Sequence, residues 1–401
     1  MLTNRQLFLR YLGQTSSSPL MLEIEKAEGV FMYGPSGEKY LDLISGVSVT
    51  NTGHHHPKVV SAVKSQVDAY MHLMVYGELI QSPQVKYAEY LTSFLPENLR
   101  CCYFVNSGSE AVEGALKLAK RFTGHSKIVS FRNSYHGSTH GALSVQGSEF
   151  FRNAYRPLLP DSFMARFNDI DSLNIIDEKT ACVIIEPVQG EAGILFPENG
   201  FLDLVRKRCT DTKSLLIFDE IQTGFGRLGK MFAIDRFNVV PDILLLAKAL
   251  GGGMPLGAFI SSGEIMSALI SDPSLGHITT FGGHPVCCAA GLASMKVLTE
   301  ENLIESCSGK STLFRNLLKH DLITSVRGEG LLLAVQLASP EYVKYSIAKA
   351  PEFGLILDFF LFCDDAFRIA PPLTINEEEI SWACKQIGNL LDNAEKHAMK
   401  K

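Results

Sequence analysis

The stretches LLIFDEIQTGFGR (residues 215–227) and PDILLLAKALGGGMPLG (residues 241–257) decide how this chain folds. Each contains a short continuous run of apolar residues followed by ionisable side chains, Asp219 with Glu220 in the first and Lys248 among small residues in the second. Runs of that kind mark parallel strands buried on both faces. In open α/β sheets, ligands gather where such strands end. Asp219 and Lys248 are therefore expected at neighbouring strand ends, an acid and a lone lysine facing one crevice. A lysine amine can form a Schiff base with an aldehyde, and an acid against a pyridine nitrogen keeps that ring protonated and electron-accepting. The pair is what pyridoxal-phosphate (PLP) chemistry requires. A lysine taken alone is usually a solvated side chain, but Lys248 is flanked by Ala247, Ala249 and glycines 251–253.

The same alternation of β-rich runs and helical patterns extends in both directions. Residues 101–105 precede a helical pattern over 109–121; runs at 127–131 and 181–185 follow, then a helical pattern over 200–208, and further runs at 214–218, 243–246 and 257–261. The expected fold class is α/β, with a mostly parallel sheet covered by helices. After about residue 290 the order becomes helix, strand, helix. Residues 326–337 read as a strand pair around Gly328 and Gly330, and 377–396 as an amphipathic helix. Near the front, residues 30–43 read as a hairpin around Gly34-Pro35-Ser36-Gly37, expected to pack with the C-terminal part. The predicted division is an N-terminal segment over 1–45 packing with the small domain, a large cofactor-binding domain over 46–290, and a small α+β domain over 291–401.

Composition narrows the class of partner. A chain of 401 residues with net charge −6 and no basic block is a poor fit to nucleic acid or anionic membrane. Small molecules are the expected partners. The nine cysteines show no zinc-like spacing, and two adjacent pairs, Cys101-Cys102 and Cys287-Cys288, do not suit a disulfide framework. No apolar run approaches the roughly 18 residues of a membrane span. These features predict a cytoplasmic protein in a reducing compartment.

FVNSGSEAVEGALKLAKRF (residues 104–122) is a strand end, a small-residue turn and a helix start. Helix N-termini present unpaired N–H groups and partial positive charge, so Ser107, Gly108 and Ser109 form an anion site in outline. An ordinary N-cap with Glu110 and Glu113 in the first turns reads the same way when taken alone. SYHGSTHGALS (residues 134–144) places Tyr135 and His136 after the next strand, where aromatic rings can cover a cofactor face, although core packing is the commoner use of such rings. GHHHP (residues 53–57) and His136 with His140 lack carboxylate or cysteine partners at ligand spacing, so no metal is expected.

These motifs and others in the same order, IIEPVQGEAGI (184–194), TTFGGHPVCCAA (279–290), VRGEGLLLA (326–334) and FRIAPPLTI (367–375), give a chain that resembles the class III aminotransferases of PLP fold type I, the group of ornithine, acetylornithine and 4-aminobutyrate aminotransferases. The resemblance covers nearly the whole length. It implies that Lys248 carries the cofactor aldehyde as an imine, that Asp219 pairs with the pyridine nitrogen, and that Gln222 bonds the phenolic oxygen. It places Tyr135 on one ring face, Ile221 on the other, and the phosphate on Ser107, Gly108 and Ser109. Thr280 is similar to the residue that reaches the phosphate of a neighbouring subunit, which implies a homodimer with shared active sites. The implied reaction passes an amino group from a donor to the cofactor and on to a 2-oxo acid, with the freed lysine moving the proton.

Arg368 and Glu191 match the family's switch pair, in which the arginine binds a substrate carboxylate or is neutralised by the glutamate. A plain structural ion pair is the competing reading. Ser138 stands where related enzymes usually carry a second carboxylate-binding arginine, and Val47 where ornithine enzymes commonly place tyrosine; with serines 16–18 in place of an aromatic, ornithine becomes a doubtful donor. Glu78 lies in a stretch that often lines the shared pocket and is expected to attract a substrate cation. The resulting expectation is a transaminase that takes a terminal amino group from a small amino acid or amine and gives it to 2-oxoglutarate or pyruvate. An aminomutase of the same fold and a non-catalytic PLP-binding protein are the alternatives; the Arg368–Glu191 pair argues against the first and the intact lysine, acid and phosphate site against the second.

Overall fold

The computed structural model describes residues 2–398. At its centre is a seven-stranded sheet in the order Cys101–Val105, Gly257–Ser261, Ile243–Leu246, Leu215–Asp219, Thr180–Ile185, Lys127–Phe131, Ser162–Ala165. Gly257–Ser261 runs antiparallel to both its neighbours, and the remaining pairs are parallel. Every residue of the four strands from Gly257–Ser261 to Thr180–Ile185 is buried, which is why their sequences are apolar without alternation. Ser162–Ala165 was not among the expected strands. It is an edge strand with only its last residue buried, and so shows no continuous apolar run.

Helix Gly108–Thr123 follows the first of these strands. Ser107 Oγ caps it by accepting the Glu110 N–H at 3.2 Å, and Gly124, at φ 72°, ends it in the left-handed conformation that glycine tolerates. Its buried face, including Ala111, Ala115, Leu118 and Ala119, is small enough to lie close to the sheet. Gly114 sets the approach: a Cβ there would come within 2.3 Å of the Phe259 ring.

The C-terminal part holds an antiparallel four-stranded sheet in the order Ile323–Glu329, Leu332–Leu337, Ala366–Ile369, Asp358–Phe359. Helices Cys307–Leu317 and Pro340–Lys349 pack against the long helix Glu377–Ala398, whose buried Ile380, Ala383, Ile387, Leu391 and Ala394 recur at the helical period. A third sheet joins the two ends of the chain: Lys26–Glu28, Phe31–Tyr33 and Lys39–Asp42 form an antiparallel meander, and Leu355–Ile356 adds in parallel beside Lys39–Asp42.

Arg227 joins these regions through its guanidinium, which is fully buried. It donates to the carbonyls of Leu331 and Pro371 in the C-terminal part, and to Ser45 Oγ and Asn51 Oδ1 in the segment that leads into the large domain. Burial pulls its pKa down to about 9. Among the described residues, no helix is long and apolar enough to cross a membrane, and no group of three or more His, Cys, Asp or Glu side chains is placed to hold a metal ion.

Candidate active site

The carboxyl ends of the central strands open into a cavity of about 380 Å³. Asp219 is the last residue of its strand and pairs in register with Leu245, so Lys248 follows one turn further along the adjacent strand end. Both line the cavity. Lys248 has φ 50°, the left-handed region, which costs a residue with a Cβ about 1–2 kcal/mol. Burial lowers the pKa of its amine; Glu191, Asp219 and Glu186 oppose the shift and Arg368 reinforces it. A buried lysine pushed toward its neutral form is a nucleophile.

Asp219 is held from two sides. His136 Nδ1 lies 2.7 Å from Asp219 Oδ2, and the Ile221 N–H donates to Oδ1 at 3.1 Å. The histidine thus presents its ring edge to the carboxylate, whereas the sequence suggested a ring lying over a cofactor face. Its own Nε2 is buried without a partner. The other aromatic, Tyr135, lines the cavity and places its hydroxyl 3.4 Å from Ser138 Oγ. Its backbone N–H donates to Glu186 Oε1 at 2.8 Å, and Glu186 Oε2 accepts the Gly190 N–H at 2.9 Å. Burial pushes the Glu186 carboxyl up to about 7, against the pull of His136. Glu186 lines the cavity but was not singled out from the sequence, although it sits inside the IIEPVQGEAGI motif. An acid directly after a fully apolar strand was the available signal.

Ser107, Gly108 and Ser109 open helix Gly108–Thr123 and border the same cavity, with their amides at the positive end of the helix. Gly108 lies against Ile221: a Cβ on it would come 2.9 Å from Ile221 Cδ1. Gln222 Nε2 is buried and unpartnered, and Gly190 leaves room for that side chain, since a Cβ there would fall 1.6 Å from Gln222 Oε1. A flat heteroaromatic ring carrying an aldehyde, a phenolic oxygen and a phosphate arm meets complementary groups here: a buried amine, an amide donor with no other partner, a carboxylate, an apolar wall and a helix start.

Arg368 and Glu191 meet at 2.6 Å, with Arg368 1% exposed. Glu191 lines the cavity and Arg368 stands behind it. Asp358, on the strand paired with Arg368, lies 3.8 Å from the guanidinium; burial raises its pKa while Arg368 opposes the rise.

Besides Arg368, four positions read from the sequence are not on the cavity wall of the single chain. Ser138 and Thr280 are exposed, as is Glu78, and Val47 is half-buried outside the lining. Val49 lines the cavity instead. The cause is a left-handed turn: Ser45, Gly46, Val47 and Ser48 all have positive φ, between 47° and 64°, so side-chain directions through this segment follow neither strand nor right-handed helix.

Comparison with known proteins gives the same answer along the whole chain. The sequence pattern of Aminotransferase class-III matches residues 12–391. The acetylornithine aminotransferase of Methanopyrus kandleri is 39% identical over 369 residues, covering 91% of this chain and 92% of that protein. That of Methanosarcina mazei is 39% identical over 385 residues, 92% of each. Among solved structures, ornithine aminotransferase from Toxoplasma gondii, seen with partial occupancy of PLP at its active site, superposes with a TM-score of 0.89 at 28% identity, covering 98% of this chain and 94% of that one. A transaminase from the marine bacterium Virgibacillus reaches 0.92 at 26% identity, over 98% and 99%. The chain belongs to the class III aminotransferases, PLP-dependent enzymes of fold type I.

Proposed function

We propose that this class III aminotransferase moves a terminal amino group from a small amino acid or amine to a 2-oxo acid, 2-oxoglutarate or pyruvate. The observation that carries the reading is the pairing of a neutral-leaning buried lysine with a closed Arg368–Glu191 switch at the edge of one cavity.

Bound PLP supplies an aldehyde that receives the amino group and a protonated ring that draws electrons from the substrate carbon. Lys248 would hold the cofactor through its amine, and the same amine would carry the proton at the substrate carbon. Asp219 would keep the ring nitrogen protonated, and His136 fixes that carboxylate through the 2.7 Å contact. The Gln222 amide would serve the phenolic oxygen, and Ile221 and Tyr135 would hold the ring. Ser107, Gly108 and Ser109 would hold the phosphate, with Thr280 of a second copy contributing to it in a homodimer. The exposure of Thr280, away from its own chain's cavity, supports that assignment.

Closed, Glu191 neutralises Arg368 and admits a donor whose far end carries no carboxylate there. Open, Arg368 offers two parallel N–H groups to the carboxylate of the oxo acid. Serine at 138 leaves the tyrosine side without a second carboxylate anchor, and Val47 with serines 16–18 weighs against ornithine. The acetylornithine aminotransferase relatives make N-acetylornithine the first donor to try. The test is a panel of amines added to the yellow holoenzyme while its absorbance is followed. Substrates bleach it, and 2-oxoglutarate or pyruvate restores the colour. Bleaching by no amine, or product formed with no oxo acid present, contradicts the transfer; the latter outcome indicates an aminomutase.

A further inference from the structure

Two acids approach Arg368, and they are held in different ways. Glu191 Oε1 accepts from Nη2 at 2.6 Å, and Asp358 Oδ2 lies 3.8 Å from Nη1, an atom that is buried without a hydrogen-bond partner. Glu191 comes from a loop beyond the strand Thr180–Ile185, and the Leu361 N–H donates to its Oε2 at 3.1 Å. Asp358 comes from a strand and faces Arg368 directly across the antiparallel pair. The segment that carries Asp358 also puts the Phe359 carbonyl 3.5 Å from Nη2 and the Phe360 ring 4.7 Å from the guanidinium. A side-chain rotation can release Glu191. The backbone of Asp358 is set by its strand pairing with Arg368, and its short side chain keeps the carboxylate near the guanidinium when Glu191 turns away.

The formal charge of the trio is negative. In a simple pair, opening the glutamate would expose a full guanidinium charge; here the open state still leaves Arg368 beside an acid. We propose that Asp358 is a specificity-determining residue: a second counter-charge on Arg368 that weakens its hold on the carboxylate of the oxo acid and biases the site toward donors with no carboxylate at that end. The inference rests on the reading of Arg368 as the carboxylate site. It deepens that reading by assigning a residue that sets the strength of the switch.

The experiment compares Asp358→Asn with the wild-type holoenzyme and with Arg368→Gln. With Asp358→Asn, the ratio of the oxo-acid KM to the donor KM is expected to fall about five- to tenfold, the scale of removing one partly screened charge near a buried guanidinium. Glutarate, a dicarboxylate that cannot be aminated, should bind more tightly to the variant by a similar factor in calorimetry. Asp358→Ser serves as the second variant if the asparagine form does not accumulate. An unchanged or raised ratio, with unchanged glutarate affinity, overturns the assignment of Asp358. Arg368→Gln separates the two failures: if it leaves the oxo-acid KM unmoved, the carboxylate site lies elsewhere and the reading of Arg368 has failed; if it raises that KM while Asp358→Asn does nothing, the failure is that of Asp358 alone.

Discussion

The ends of the central strands and the pair of short strands behind them solve different problems with opposite means. Asp219 and Lys248 are carried by strands whose every residue is buried, and the helix start at Ser107 follows a strand buried at its last residue, Val105, so their places follow from the packing of the sheet. Arg368 sits on a buried strand paired on both sides, whereas its partners Glu191 and Asp358 come from a loop and a two-residue strand and meet it through opposite charge. The first region is generic: it fits any substrate whose amine reaches the lysine. On the proposed reading the second discriminates, since Arg368 with Glu191 is the part that distinguishes a carboxylate from its absence. A rigid frame thus suits the step common to both half-reactions, and an adjustable ion pair suits the step in which they differ.

Substitutions in either region test the contrast. Asp219→Ala should lower turnover with every donor and acceptor alike, by about a hundredfold or more, the scale of losing one preorganised charge at a reacting centre. Retention of cofactor, followed by absorbance after dialysis, should suffer far less; comparable losses in both would count against the role of Asp219. Arg368→Ala should raise the oxo-acid KM by about 30- to 100-fold and the donor KM by much less, the range for losing a charge-assisted bidentate contact. Equal effects on the two substrates would make the pair part of the scaffold. Gly114→Ala, in the frame and remote from the ion pair, should cost about 1–3 kcal/mol of stability by overpacking against Phe259, read as a lower denaturation midpoint, while the ratio of the two KM values stays put.

The smallest effect concerns Glu186. Its folded pKa is raised to about 7, so the native state holds that proton more tightly than the unfolded chain. Its contribution to stability is therefore fully present below the ordinary glutamate value near 4.3 and is lost as pH rises through about 7. Glu186→Gln should leave stability near pH 4 little changed and raise it by about 1–2 kcal/mol at pH 8, less than the shift alone implies because one amide oxygen replaces two carboxylate acceptors. Denaturation of the apoenzyme at both pH values checks the sign.

Much of the frame was legible in the sequence. Continuous apolar runs ending in one polar residue identified the strands that carry Asp219 and Lys248, because burial on both faces leaves that mark. The edge strand Ser162–Ala165 left none, since solvent on its open side permits any pattern. Around the cavity, motif position brought Glu191, Gln222 and Tyr135 into view, while Val49 was missed because a left-handed turn at residues 45–48 redirects the side chains. The tie between His136 and Asp219 joins residues far apart in sequence, through a contact that neither local pattern reports. Asp358 was invisible for a related reason: its meaning depends on cross-strand register with Arg368, and a run of phenylalanines around it reads as core.

The central claim is that Lys248 bonds covalently to the cofactor, and one measurement meets it directly. Purified protein loaded with pyridoxal phosphate is reduced with borohydride, digested, and its peptides weighed. A pyridoxyl-phosphate adduct on the peptide containing Lys248, abolished in Lys248→Ala, is the predicted result. An unmodified Lys248 peptide, or an adduct on a different lysine, would contradict the account.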